Sequence, residues 1–330
     1  MWLFQQIKNG LGILGCTLLL GWMQPLSAAI SLYEPADPQN LKVYLQQIIG
    51  PPGVYRNHKN IEELNRVSAW IKEQMRLFGI PCQYQAYPVN GKSYRNVVCH
   101  LKVGRSDRVI LGAHYDVHGN QKGADDNASG VAGLIEIARI LSQEKTKLPH
   151  NVEFVFYTLQ EAPYYQTEFM GSQVHAKSIL AEREHIQAVY VLEMIGYYDS
   201  RLIQQYPMGL KWIYPSHGNY IAAISNFQSN ALGEQYCQPM RLLDKLQCER
   251  LVMPAFVSAA GFSDHRSYWQ HDIPALLITD TSHYRNPNYH TEKDTLDTLN
   301  VTKMGQVIDG LIHQLLGATP KAAIKNAALK

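Results

Sequence analysis

The stretch GADDNASGVAGL, residues 123–134, sets two aspartates and an asparagine among small residues, and an apolar helical pattern starts directly behind them. Val131, Leu134, Ile135, Ala138 and Leu141 recur on one helical face. An acidic turn at the head of a buried helix has two readings. Short polar side chains can cap the free N–H groups of the first turn. Alternatively, carboxylates gather around a cation. The residues on either side decide.

Four apolar runs of strand length surround the turn: RVILGA (108–113), VEFVFYT (152–158), AVYVLEM (188–194) and ALLIT (275–279). They do not alternate with polar residues, which suits strands covered on both faces. Helical periodicities lie between and around them. Ile61, Leu64, Ile71, Met75 and Phe78 share a face that Gly79 ends, and Met304, Val307, Ile308, Leu311 and Leu315 share another. LKVYLQQIIG (41–50) reads as a shorter helix. Alternating strands and helices predict an α/β fold, a three-layer α/β/α sandwich around a mostly parallel sheet. We expect one domain over residues 30–320, an insertion around 200–260 where the rhythm weakens, and a tail over 321–330.

Polar residues recur where these strands end. His114 and Asp116 follow the first, the acidic turn comes next, Glu161 follows the second, Glu193 ends the third and His290 follows the fourth. Open α/β sheets build their sites at that edge. Carboxylates brought together need a cation or protons, and imidazoles among them favour zinc over calcium or magnesium. Glu193, between YVL and MIGYY, would be costly to bury unpaired. A salt bridge to arginine or lysine is the other way to place it, and no partner stands out.

Apolar residues make up 46%, charged residues 18%, and the formal charge is +2. Without a basic cluster there is no footprint for nucleic acid. At the N-terminus, one charge (Lys8), the apolar LGILGCTLLLGWM and small residues at Ser27 and Ala29 read as a signal peptide over residues 1–29. An uncleaved anchor is the alternative, and Leu14 makes Cys16 a poor lipidation site. The expected protein is secreted or periplasmic, without stable membrane association after cleavage. Export permits disulfides. CQYQAYPVNGKSYRNVVC (82–99) reads as a hairpin turning at Asn90-Gly91, which sets Cys82 opposite Cys99 within bonding reach. Cys237–Cys248 follows by elimination, with free buried thiols as the alternative.

The stretches GAHYDVHG, GADDNASGVAGLIEIARIL, QEAPYYQTEFMGSQVHA, VLEMIGYY and FSDHRSYWQHDIPALLITDTSHYRNPNYHTEKDTLDTLN occur in this order. Together they resemble the bacterial leucyl-aminopeptidase and glutaminyl-cyclase family of secreted zinc exopeptidases, over about residues 60–316. The resemblance implies two zinc ions bridged by one aspartate, acting on a peptide substrate. Matched by motif, His114 and Glu193 hold one zinc, Glu161 and His290 the other, and Asp126 bridges them. Asp116 takes the place of the carboxylate that orients His114. Asp264 and His265 are expected near the site. Ile195, Tyr197 and Tyr198 fit a side-chain pocket or the core equally well.

One position departs from the family pattern. The general-base glutamate that precedes the Glu161 position is Gln160 here, and an amide cannot take a proton at neutral pH. Several readings remain open: a zinc aminopeptidase with reduced turnover, one in which Glu168 reaches the water, a glutaminyl cyclase, or a zinc protein that only binds peptide ends.

Overall fold

Turn chemistry starts the sheet. Asn90 and Gly91 have φ of 50° and 75°, the left-handed pair that a two-residue hairpin turn requires. They join β1 (Cys82–Val89) to β2 (Lys92–Leu101), with Cys82 opposite Cys99 and bonded to it. A second disulfide joins Cys237 to Cys248. This computed structural model describes residues 32–320 apart from 208, 244–245, 258–259 and 318, so the segments 1–29 and 321–330 lie outside it.

Six further strands complete the main sheet: β3 (Arg108–His114), β4 (Asn151–Tyr157), β5 (Ile186–Glu193), β6 (Tyr220–Ser225), β7 (Gln247–Val252) and β8 (Ala275–Thr279). The order is β7-β6-β8-β5-β3-β4-β2-β1. The central strands β4, β3, β5 and β8 are parallel. The hairpin joins β4 antiparallel, and β6 joins β8 antiparallel while pairing parallel with β7. Residues 199–252 therefore add two strands to this sheet, beside a short antiparallel pair of their own (Asp199–Ile203 with His217–Gly218).

Both faces are covered, which explains the unbroken apolar runs. Val109, Leu111, Phe154, Phe156, Tyr190 and Leu192 pack into one core, and Ile110, Val155, Tyr157, Val189 and Val191 into another. On the first face lie α1 (Pro38–Ile49), α2 (Ile61–Leu77), α3 (Gly130–Gln143), α5 (Asn230–Leu243) and α7 (Val301–Leu316). The other carries α4 (Gly171–Ser178) and α6 (His265–Trp269). The result is an α/β/α sandwich with a mixed, mostly parallel sheet. Among the described residues, no helix is long and apolar enough to cross a membrane.

Strand β3 lies between β4 and β5. The chain leaves it to one side for β4 and returns to the other side for β5. That reversal opens a crevice at the carboxyl end of β3, where α/β sheets bind ligands. The last residue of β3 is His114.

Candidate metal centre

Strand ends deliver the polar groups to the crevice. His114 closes β3 and Glu193 closes β5. His114 Nε2 lies 3.2 Å from Glu193 Oε1 and 3.4 Å from Asp126 Oδ1. The other Asp126 oxygen, Oδ2, lies 3.0 Å from His290 Nε2, which is 3.3 Å from Glu161 Oε1. Two sets result, His114–Asp126–Glu193 and Asp126–Glu161–His290, with one Asp126 oxygen facing each. Asp126 Oδ2 and His290 Nε2 are buried without a hydrogen-bond partner. Buried polar atoms that converge unpaired fit a cation between them.

The two aspartates of the turn do different jobs. Asp126 faces the crevice. Asp125 turns inward, accepting from Gly196 N at 2.9 Å and Asn286 Nδ2 at 2.7 Å. It also hydrogen-bonds the Asp280 carboxyl, which accepts from the backbone N–H of Tyr197 and Ser282. Burial pushes both carboxyls up, Asp280 to about 6, and repulsion from Asp280 raises Asp125 further. This pair ties the acidic turn to the loops after β5 and β8. Asp294 clamps it from a third side, its two oxygens accepting from Asp125 N at 2.8 Å and Asp126 N at 3.0 Å. Burial, then the charge of Asp125, pushes Asp294 to about 8. Arg56, fully buried, donates to the carbonyls of Tyr115, Lys122 and Gly123. Sequence reasoning assigned no role to Arg56, Asp294 or Asp280.

Small residues let the turn sit so close. A Cβ on Gly130 would lie 2.5 Å from the Leu192 carbonyl oxygen. Asn127 donates to that same carbonyl and accepts from Met194 N.

Asp116 serves three partners. Its Oδ1 lies 3.3 Å from His114 Nδ1, and its oxygens accept from Gln160 N at 3.2 Å and Glu161 N at 3.1 Å. One carboxylate thus sets an imidazole and the loop carrying Glu161. Gln160 is buried beside it. Glu168 is mostly exposed and lies 3.8 Å from Lys177 Nζ.

Glu193 is 4% exposed, and its partners are His114 and the Ser263 hydroxyl, 2.6 Å away, rather than an arginine or lysine. Burial raises its pKa against the pull of His114. For His290, burial is outweighed by Asp126 and Glu161, which hold it at about 10. Burial is likewise outweighed at His114, first by Glu193, so its pKa stands well above the usual histidine range. Asp264 is fully buried, pushed up to about 7 by burial and within range of the His114 and Glu193 charges. His265 lies next to it in sequence but points to the Ala260 carbonyl and packs edge-on against Trp269, and burial lowers it to about 4.

His118 was not singled out by the sequence, although it stands two residues beyond Asp116. Its ring stacks on His290 at 4.0 Å, and its Nδ1 lies 3.6 Å from Glu161 Oε2. Ile195 is fully buried in the core, with Tyr198 packed against it and donating to its carbonyl. An apolar cavity of about 480 Å³ beyond the crevice is lined instead by Tyr206, Tyr214, Tyr220, Leu251, Phe262 and Tyr284, among others. Backbone strain marks the site as well: Leu159, Met194, Thr281, Ser282 and His290 all have positive φ. Such conformations in non-glycine residues cluster at functional sites.

The model of peptidase family M28 matches residues 96–315. The Escherichia coli K12 protein YfbL is 39% identical over 304 residues, covering 89% of this chain and 91% of that one. Leucine aminopeptidase 1 of Arthroderma otae is 26% identical over 275 residues, covering 75% and 66%. In fold, the chain is similar to the glutaminyl cyclase of Porphyromonas gingivalis, with a TM-score of 0.66 at 19% identity, covering 86% of this chain and 98% of that one. The chain belongs to peptidase family M28 and is an enzyme of the zinc metallopeptidase type.

Proposed function

We propose that the protein is an exported aminopeptidase that removes N-terminal residues from peptides with the help of two zinc ions. The observation that carries this reading is Asp126, whose two oxygens each face a separate histidine–carboxylate pair. Two imidazoles and three carboxylates form a donor set suited to zinc. His114, Glu193 and Asp126 would hold one ion, and Glu161, His290 and Asp126 the other. When bound, zinc polarises a scissile carbonyl and lowers the pKa of water. Residues 1–29 would direct export and be removed.

The chain's own groups then set the rest. Asp116 fixes the His114 ring and presents the Gln160–Glu161 loop. Gln160 can orient a water through its amide but cannot take the proton. A general base is worth roughly 10²–10⁴-fold, so this reading expects slow turnover rather than none. The fold also matches glutaminyl cyclases, and cyclisation needs no hydrolytic water, so both reactions belong in one test. Mature protein with zinc is assayed on leucyl-nitroanilide and on a glutaminyl peptide. Nitroanilide release supports the aminopeptidase. Ring closure alone supports the cyclase. Silence on both substrates, persisting in Gln160→Glu, overturns both.

A further inference from the structure

A second, polar cavity of about 500 Å³ adjoins the crevice, and Tyr165, Thr167, Gln173, Ser263, Arg266 and Gln270 are among its walls. Ser263 belongs to both sites, because its hydroxyl donates to Glu193 while its backbone carbonyl accepts from Arg266 N. Arg266 is the only cation among the described residues of the wall. Among the described residues its side chain makes no ion pair or hydrogen bond that would occupy it. The one acid in the wall, Glu168, lies beside Lys177. Gly261 leaves room for the Arg266 stem, since a Cβ there would come within 3.3 Å of Arg266 Cδ. Tyr165 lines this cavity, and burial chiefly raises its phenol.

A partly buried guanidinium without an acidic partner, ringed by amides and hydroxyls, is built to receive a planar anion through paired N–H groups. We propose that this cavity is a substrate subsite in which Arg266 binds a carboxylate carried close to the scissile bond. The preferred substrates are then short peptides, with the carboxylate supplied by the C-terminus of a dipeptide or tripeptide or by an acidic side chain near the cleaved bond. The inference rests on the aminopeptidase reading and adds a substrate class to it. It separates the roles of the two cavities: among the described residues the aromatic one has no cation in its lining, and the polar one supplies it.

The test compares kcat/KM of the zinc-loaded enzyme for leucyl-glycine, for leucyl-glycinamide and for leucyl-aspartic acid α-amide, which keeps only its side-chain carboxylate, in the wild type and in Arg266→Gln. The wild type should prefer the free acid over the amide by roughly 10- to 100-fold, the range of one charge-assisted hydrogen-bond pair. Arg266→Gln should bring that ratio close to one. The ratio is internal to each protein, so a general loss of activity cancels from it. Recovery of rate by the aspartyl α-amide would assign the subsite to acidic side chains, and no recovery would assign it to the C-terminus. A wild type indifferent to amidation, or a variant that keeps the preference, overturns the proposal. If no peptide is cleaved, the aminopeptidase reading fails. Calorimetric binding of leucyl-glycine against its amide then judges the subsite without turnover, and equal affinities overturn it.

Discussion

Gln160 stands one residue before Glu161, on a loop whose backbone Asp116 already holds. A carboxylate placed there would meet a prepared position. Gln160→Glu should therefore raise kcat on leucyl-nitroanilide by about 10²–10⁴-fold, with zinc content unchanged. An unaltered rate would mean that proton transfer is not what limits the enzyme. His118 acts on the other side, against Glu161 and the His290 ring. His118→Ala should weaken one metal site by about 10–100-fold and spare the other, measured by chelator competition. Burial holds the folded pKa of His265 at about 4, below the ordinary 6.5. The unfolded chain takes up the proton first. Its contribution is therefore intact above pH 6.5 and is lost as pH falls toward 4, by about 3 kcal/mol in all. Denaturant melts at pH 7 and pH 4.5 should show a smaller acid loss in His265→Gln than in the wild type; equal losses would contradict it. At this scale the sequence was informative where a polar residue ended an apolar run, as at His114 and Glu193. It was silent on Arg56, Asp294 and His118, whose roles arise only when loops far apart in the chain converge.

The element that matters most is the start of α3. Its close approach to β5 depends on Gly130, where a Cβ would meet the Leu192 carbonyl oxygen and the Asn127 side chain. Gly130→Ala should push the helix off the strand, destabilise the protein by about 1–3 kcal/mol and weaken zinc binding with it. Denaturant melts and chelator competition read the two effects. A destabilised variant with full zinc affinity would show that the turn is not held by this contact. The hairpin at residues 82–99 was legible because turn residues and register are local properties. Strands β6 and β7 were harder to read. Their place comes from pairing with each other and of β6 with β8, after a long excursion of the chain.

Across the whole molecule, five groups proposed as ligands come from two strand ends, two loops that follow strands and one turn, held by cores on both faces of the sheet. The fold therefore does not depend on the metal to exist. Chelation should abolish activity while leaving far-UV circular dichroism intact. It should also lower the melting temperature, because zinc binds only the native arrangement. A chelated protein that unfolds outright would show that the ion builds the crevice rather than occupying it. The alternation of apolar runs and helices made the layers readable in advance, since burial on both faces leaves a continuous apolar signature. The antiparallel pairing of β6 with β8 was not encoded so plainly.

A centre bridged by Asp126 is tested by the zinc content of purified protein, measured by mass spectrometry alongside Asp126→Ala. Two zinc ions per chain, falling to one or none in the variant, is the predicted result. Wild-type protein without zinc after loading, or a variant that keeps both ions, would contradict a centre bridged by Asp126.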